Sequence, residues 1–179
     1  MSNSVIIRTN FYGFFPNHNN SLVNWFIENI RKKKEIKLIK NIFFNPLHVN
    51  QLCLYILEII KNDKIKGVIN LGSKDKISKG NLLFKIGKKL NLVKKTFAYE
   101  NVENLNLKAF RPKNMLMCVK KIEKLLKKSM PSIDEGINDL IINLKQKNVA
   151  KNCAHLFESV LYPGSGVVPL MQCVFTCLL

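Results

Sequence analysis

Arginine is the scarcest charged residue of this 179-residue chain: three are present, against 26 lysines and 12 acidic residues. Proteins that read bases or grip phosphates usually rely on arginine, because its guanidinium group is planar and bidentate. The net charge of +17 therefore indicates a solvated, lysine-rich surface more than a dedicated nucleic-acid reader. Such a surface still attracts polyanions in general. We expect no specific nucleic-acid partner.

Cysteine and histidine are also few. The five cysteines form no CxxC pair, and the three histidines are scattered along the chain. An odd number of cysteines with this spacing excludes a disulfide framework and a structural zinc site. No metal site is predicted, and a reducing cytoplasm is the expected location.

Long apolar runs are missing. A membrane span needs roughly 20 apolar residues, and no stretch of the chain reaches that length. The first apolar run, Val5 to Ile7, has three residues, so no signal peptide is predicted. The common catalytic motifs GxSxG and HExxH and the Walker loop are missing as well, and no catalytic residue is predicted.

The residues that are present suffice for one domain, because 47% are apolar and the length allows a sizeable core. Their pattern predicts an α/β fold with two or three short, mainly parallel strands near residues 4–8, 36–40 and 67–71. Helices are expected near residues 21–33, 47–61, 79–91, 117–127 and 132–146. Ser21 and Ser78 stand where they can cap the first and third helices.

The stretch from Gly67 to Leu92 is the most informative. It starts with a β-branched run and continues into a helix with Leu82, Leu83, Ile86 and Leu90 on one face. Its sequence, NLGSKDKISKGNLLFKIGKKLNL, resembles a segment of the extended branch of the short-chain dehydrogenase/reductase superfamily. Within that branch it is most similar to dTDP-4-dehydrorhamnose reductases and related sugar-nucleotide reductases, in their C-terminal half.

Three more phrases resemble the same family in matching order: RTNFYG at residues 8–13, FFNP at 43–46, and RPKNMLM with PSIDEGINDLI after residue 110. The resemblance covers roughly residues 4–144. It implies the C-terminal portion of an NAD(P)-binding, Rossmann-type reductase whose N-terminal Rossmann half is missing. Residues 1–149 would form the substrate-binding part, and 150–179 a divergent apolar tail.

By this resemblance, Asn10 offers its amide to a sugar nucleotide and Phe11 an apolar face to the sugar ring. Asn45 is a candidate contact on the FFNP turn, and Arg111 a candidate for the diphosphate. The alternatives stay open: Phe11 fills the core, and Arg111 bonds nearby carbonyls. Asn50-Gln51 stands where the family commonly has an acidic helix start, which weakens the resemblance there.

The family also needs a glycine-rich turn for the cofactor and a YxxxK pair, in which lysine lowers the pKa of a proton-donating tyrosine. Gly164-Ser165-Gly166 lacks a third glycine, and no tyrosine of the chain is followed by lysine at the fourth position. Activity is therefore left open, and the isolated chain is expected to be inactive. No cofactor site is predicted here, although a full-length relative would use NAD(P).

Two functions of different class compete. In the first, the chain is the sugar-nucleotide-binding portion of a reductase, and a missing N-terminal half is its partner. In the second, it is a basic interaction protein that keeps the fold and binds a polyanion or a protein. Salt dependence separates them, because binding through many lysines weakens steeply with salt.

The tail from residue 151 onward has a different composition. It holds one lysine and three of the five cysteines, and Val167 to Leu179 is apolar apart from Gln172 and Thr176. It could be an extra strand, a sticky terminus or sequence of different origin such as a frame change, and we favour the last. The strand at Val5 is expected to have an unpaired edge, because its sheet neighbours would lie in the missing N-terminal half.

Overall fold

A computed structural model describes residues 4–15, 21–92, 97–105, 109–146 and 172–175. These residues form an α/β fold of ten short strands, five α-helices and one turn of 3-10 helix. The strands are β1 (Val5–Thr9), β2 (Phe11–Tyr12), β3 (Lys37–Ile39), β4 (Phe43–Phe44), β5 (Leu47–His48), β6 (Gly67–Leu71), β7 (Ile77–Ser78), β8 (Ala98–Glu100), β9 (Asn114–Met115) and β10 (Gln172–Phe175). The helices are α1 (Leu22–Arg31), α2 (Val49–Ile60), α3 (Lys79–Lys89), α4 (Lys120–Leu126) and α5 (Ile133–Gln146), with the 3-10 turn at Val102–Asn104.

The central sheet has the strand order β10-β1-β6, with both pairs parallel. Ile7 of β1 lies opposite Ile69 of β6 on one side and Cys173 of β10 on the other. The predicted unpaired edge of β1 is therefore wrong. An exposed strand edge offers a row of free N–H and C=O groups, and the apolar segment at Gln172–Phe175 supplies a strand that pairs with them.

Three smaller sheets surround the central one: β2-β5, β3-β8 and β7-β4-β9. Only β4 with β7 is antiparallel among the pairs of the described residues, so the prediction of mainly parallel strands is confirmed. The prediction of two or three strands was too low. Most of the missed strands are two residues long, too short for hydrophobic alternation to show.

The five predicted helices are all present, with shifted ends. Ser21 Oγ accepts from Asn24 N at 3.1 Å and Ser78 Oγ from Asn81 N at 3.2 Å, so both predicted caps are confirmed. The start of α2 moves from residue 47 to Val49, because residues 47–48 pair as β5. The start of α4 moves from 117 to Lys120, because residues 116–119 have no regular structure and the backbone of Met117 is bonded to the Asn45 side chain.

Two apolar cores hold these layers together. The first lies between α1, α3 and α5 and includes Phe26, Leu38, Leu82, Ile86 and Leu140. The second lies under the central sheet, where α2 and α4 pack, and includes Ile7, Ile56, Ile69, Leu71 and Ile122. Burying each of these side chains stabilises the fold by about 1.5–3 kcal/mol before entropy is counted.

The two faces of the β1–β6 ladder differ in burial. Ile7, Thr9, Ile69 and Leu71 are buried on the face toward the second core. On the opposite face Arg8 is exposed and Val68 is 39% exposed. Parallel strands are usually covered on both faces. Among the described residues, by contrast, nothing covers Arg8 and Val68 on this face of the sheet. None of the described helices has the length and apolar character that crossing a bilayer demands.

Candidate functional site

Three turns meet where β1, β4 and β6 end. Leu47 N donates to Asn10 O at 2.9 Å, which joins the turn after β1 to the turn after β4. Ser73 N donates to Asn45 O at 2.9 Å, which joins the turn after β4 to the turn after β6. The carboxyl ends of strands in open α/β sheets are where ligands bind. The structure thus brings predicted site residues Asn10 and Asn45 to one edge.

Asn45 is held firmly at this edge. It is 4% exposed, and its Nδ2 donates to Ser73 O at 3.0 Å and to Met117 O at 2.9 Å. Its Oδ1 accepts from Met117 N at 2.9 Å. A Cβ on Gly72 would lie 2.7 Å from both Nδ2 and the backbone O of Asn45, so the turn after β6 needs glycine to approach this closely.

Two further asparagines grip the same segment. Asn10 Nδ2 donates to Met115 O at 3.1 Å, and Asn70 Nδ2 donates to Cys118 O at 3.2 Å. We call Asn10, Asn45 and Asn70 the asparagine clamp, because they fix residues 115–118 to the ends of the strands. Each such hydrogen bond contributes roughly 1 kcal/mol net, and leaving its buried partner unsatisfied costs about 1–3 kcal/mol.

The sequence reading singled out Asn10 and Asn45 but missed Asn70 and the clamp itself. The available signal was an asparagine at or near the end of three strands in turn. An asparagine side chain carries two donors and an acceptor, so it can bond a passing backbone as well as a ligand. Sequence alone does not choose between these uses.

Arg111 lies four residues before the first clamped carbonyl, and it is half-buried. Among the described residues no carboxylate forms an ion pair with it. The nearby acid Glu103 is engaged instead with Lys113 and accepts from Asn41 Nδ2 at 2.7 Å. The bond from Lys113 and that from Asn41 lower the pKa of Glu103 to about 2. Arg111 is therefore a cation without a described acidic partner.

Three phenylalanines lie near Arg111 or near the ends of the strands. Phe11 is half-buried and packs against the second core, which fits the core-filling alternative for part of its ring. Phe43 N donates to Lys113 O at 2.8 Å, and the exposed Phe43 ring carries Lys76 Nζ 5.7 Å from its centroid. Phe110, beside Arg111, is 90% exposed. The sequence reading gave no role to Phe43, Lys76 or Phe110.

A buried polar pair lies behind this edge. Tyr12 and His48 are opposite each other in the β2–β5 ladder, with ring centroids 5.7 Å apart in an edge-to-face arrangement. Within the described segments neither Tyr12 Oη nor His48 Nδ1 has a hydrogen-bond partner. Burial lowers the pKa of His48 to about 4. Burial, followed by the charges of Asp139 and Asp134, raises the pKa of Tyr12, so both rings are neutral near pH 7.

Helix α5 closes against this pair at Gly136. A Cβ there would lie 2.6 Å from Tyr12 Oη and 3.0 Å from Gln51 Oε1. No side chain larger than hydrogen fits without movement. The backbone of α5 at Gly136 therefore packs directly against the β2–β5 ladder, whose strands follow the turns of Asn10 and Asn45.

The mainly parallel strands, with a segment clamped at their carboxyl ends, place the chain in the class of open-sheet α/β proteins. The chain belongs to the family of the RmlD substrate binding domain, whose model matches residues 1–146. This confirms the family resemblance of the sequence phrases. No curated protein sequence matches the chain significantly.

Solved structures share the fold. The dTDP-4-dehydrorhamnose reductase of Bacillus anthracis, in complex with NADP, is 23% identical with a TM-score of 0.69, covering 78% of this chain and 48% of that one. The Clostridium acetobutylicum reductase is 18% identical with a TM-score of 0.68, covering 79% and 49%. The dTDP-glucose 4,6-dehydratase of B. anthracis, with NAD, is 16% identical with a TM-score of 0.62, covering 83% and 47%. The chain spans about half the length of these proteins.

Proposed function

We propose that this chain binds a sugar nucleotide, as the substrate-binding portion of a dTDP-4-dehydrorhamnose reductase-like, NAD(P)-dependent oxidoreductase. The observation that carries the proposal is Arg111: a half-buried cation with no acidic partner among the described residues, on a segment fixed to the ends of the strands. A guanidinium group in that state is suited to bind a diphosphate in a bidentate manner.

The proposed roles of the other residues follow from their positions. Asn10 and Asn45 line the edge and hold the segment that leads to Arg111, and Phe11 offers the exposed part of its ring to the sugar. Because the amide of Asn45 already makes three hydrogen bonds within the chain, its effect on the ligand is mainly positional. Asn10 makes one such bond, so its amide has more capacity for a ligand.

We propose that the isolated chain binds the sugar nucleotide but does not reduce it. A reductase of this kind needs a proton donor activated by lysine and a glycine-rich turn for the dinucleotide, and the sequence has neither. The residues present therefore do not fit NAD(P). A separate dinucleotide-binding half is the proposed partner, and the open face of β1–β6, with Arg8 and Val68 exposed, is where it would pack. A cytoplasmic location stays a prediction.

Calorimetric titration with a dTDP-sugar tests this proposal, with Arg111→Ala compared to Arg31→Ala. Arg31 is a matched control because it is exposed at the end of α1, in the last turn and away from the strand ends. We expect Arg111→Ala to weaken binding at least tenfold, in line with a charge-assisted bond of about 1.5–3 kcal/mol. Equal weakening by both substitutions would reject the proposed site and favour diffuse attraction.

A further inference from the structure

Helix α4 runs antiparallel alongside β6 and ends against α2. Asn70 of β6 bonds the carbonyl of Cys118, just before the helix, and Lys121 Nζ donates to Val68 O at 2.8 Å. At the other end Lys128 pairs with Glu58 of α2 and lies 4.6 Å from the centroid of the Tyr55 ring. The helix therefore brings its own surface next to the turn that joins α2 to β6.

Two parts of this arrangement are rich in lysine: α4 with the residues that follow it, and the turn between α2 and β6. We call the following exposed residues the lysine face: Lys61, Lys64, Lys66, Lys120, Lys121, Lys124, Lys127 and Lys128. The carboxylates of the same segments are Glu58, Asp63 and Glu123. Glu58 pairs with Lys128, and Glu123 Oε1 accepts a hydrogen bond from Met130 N at 2.9 Å. Eight ammonium groups thus face three carboxylates. Five of the eight lysines lie within residues 120–128, and the other three lie within residues 61–66.

We propose that the lysine face binds the phosphate backbone of nucleic acid without sequence preference. Lys120, Lys124 and Lys127 follow one another along α4 over about 10 Å, a length comparable to that of three phosphates on one strand of a duplex. The face contains no arginine, so it lacks the planar donor pairs that read base edges. Point charges on flexible stems give attraction to phosphate and no discrimination among bases.

An anionic membrane is another partner with negative charge, and the sequence of α4 is poorly suited to it. A helix that lies in a membrane surface inserts an apolar face among the lipids. In α4, Ile122 is buried in the second core and Leu126 packs against it. Leu125 alone, 37% exposed, is left to contact lipid. The apolar side of the helix is already used by the fold.

The protein supplies its own control for general electrostatics. Lys32, Lys33 and Lys34 form a second exposed cluster at the end of α1, on a different element. Each cluster has one lysine in the left-handed backbone region, with φ of 55° at Lys33 and 52° at Lys127. A triple Lys→Gln change in either cluster removes the same charge and includes one such left-handed position.

The test measures binding of a fluorescent 20-base-pair DNA duplex of mixed sequence by anisotropy, between 0.05 and 0.3 M salt. We expect Lys120→Gln/Lys124→Gln/Lys127→Gln to weaken binding at least tenfold at 0.1 M salt. It should also lower the slope of log K against log salt by up to roughly 0.9 per lysine that contacts phosphate. The Lys32→Gln/Lys33→Gln/Lys34→Gln control should change binding less than threefold. A Lys→Arg triple in α4 should retain binding.

Three results would overturn the proposal. Equal weakening by both Lys→Gln triples would show that the charge acts diffusely. Absence of duplex binding by the unaltered chain at 0.05 M salt would reject the site outright. Binding to phosphatidylserine vesicles that the α4 triple abolishes, without binding to the duplex, would assign the face to membranes. If the α4 triple fails to fold by circular dichroism, Lys61→Gln/Lys64→Gln, outside the helix, gives the same comparison.

Discussion

Asn45 bonds the backbone of Met117 in both directions, with Oδ1 accepting from Met117 N and Nδ2 donating to Met117 O, each at 2.9 Å. A side-chain amide that bonds both the N–H and the C=O of one residue makes the same pair of hydrogen bonds that a neighbouring strand would make. Here it continues the pairing of β4 with β9 beyond the last residue of β4 and holds Met117 at the edge. The position of Arg111 depends on that segment.

Replacing Asn45 with alanine is expected to destabilise the protein by about 3 kcal/mol. The change removes three hydrogen bonds and leaves the Ser73 and Met117 backbone groups without them. Urea denaturation measures the effect. Asn29→Ala is the matched control, because the Asn29 amide bonds one helix carbonyl on an exposed surface; its effect should stay within about 0.5 kcal/mol. Equal effects in the two variants would contradict the importance of the clamp.

Tyr12→Phe is expected to leave stability unchanged or to raise it by up to about 1 kcal/mol. The Tyr12 hydroxyl is buried and has no hydrogen-bond partner among the described residues, so its removal relieves a desolvation penalty. Thermal unfolding at pH 7 measures the change. A loss of more than about 1 kcal/mol would mean that the hydroxyl is in fact satisfied.

Gly136→Ala should destabilise the protein by about 1–3 kcal/mol, although alanine favours a helix by about 1 kcal/mol over glycine. The new Cβ would lie 2.6 Å from Tyr12 Oη. Removing that oxygen in the Gly136→Ala/Tyr12→Phe double variant should restore part of the loss, since the two groups then no longer meet. Additive effects in this double-mutant cycle would show that the close contact is not the cause.

Stability should fall as pH drops from about 6.5 toward 4. Burial lowers the pKa of His48 from 6.5 to about 4, so over this range the unfolded chain binds a proton that the folded chain excludes. The contribution of one such group is about 3 kcal/mol, present above pH 6.5 and lost at pH 4. Urea midpoints at pH 7, 5.5 and 4.5 measure it.

The control for this pH dependence is His48→Gln, which removes the titrating group and keeps a polar side chain of similar length. Its stability should change much less between pH 6.5 and 4.5 than that of the unaltered chain. Glu103, whose pKa is lowered from 4.5 to about 2 on folding, acts in the same direction near pH 4.5, but it does so in both proteins and therefore cancels from the comparison. An unaltered slope in His48→Gln would assign the dependence to other groups.

The isolated chain should not reduce a 4-keto sugar nucleotide with either nicotinamide cofactor. None of its tyrosines has a lysine at the fourth following position, so the YxxxK proton donor of the family does not occur in this sequence. Absorbance of the reduced nicotinamide follows the reaction. Turnover above a control without protein would contradict the proposal that the isolated chain binds the sugar nucleotide but does not reduce it.

The sequence predicted the elements with the clearest patterns. The β-branched run at Gly67–Leu71, the serine cap of α3 and the stripe of leucines that follows are local features, and all three were found as expected. The two-residue strands were missed because pairing across space, and not local pattern, creates them. Ser78, for example, pairs with Phe43, 35 residues away in the chain.

The site was predicted less completely than the fold. A resemblance pointed to Asn10, Asn45 and Arg111, and the structure brings Asn10 and Asn45 together at one edge. That asparagine amides bind residues 115–118 depends on contacts across 48 to 105 positions, which no local pattern encodes. The five lysines of residues 120–128 are visible in the sequence, but their position beside β6 and α2 depends on packing. Composition alone showed only the total charge.

An NMR titration of the amide-labelled chain with a dTDP-sugar, at 0.05 and 0.3 M salt, tests the central claim most directly. The account predicts shifts confined to the turns of Asn10 and Asn45 and to the segment from Arg111 to Cys118. Those shifts should persist at the higher salt and disappear in Arg111→Ala. Shifts spread over the exposed lysines and lost at 0.3 M salt, with the strand ends unaffected, would contradict it.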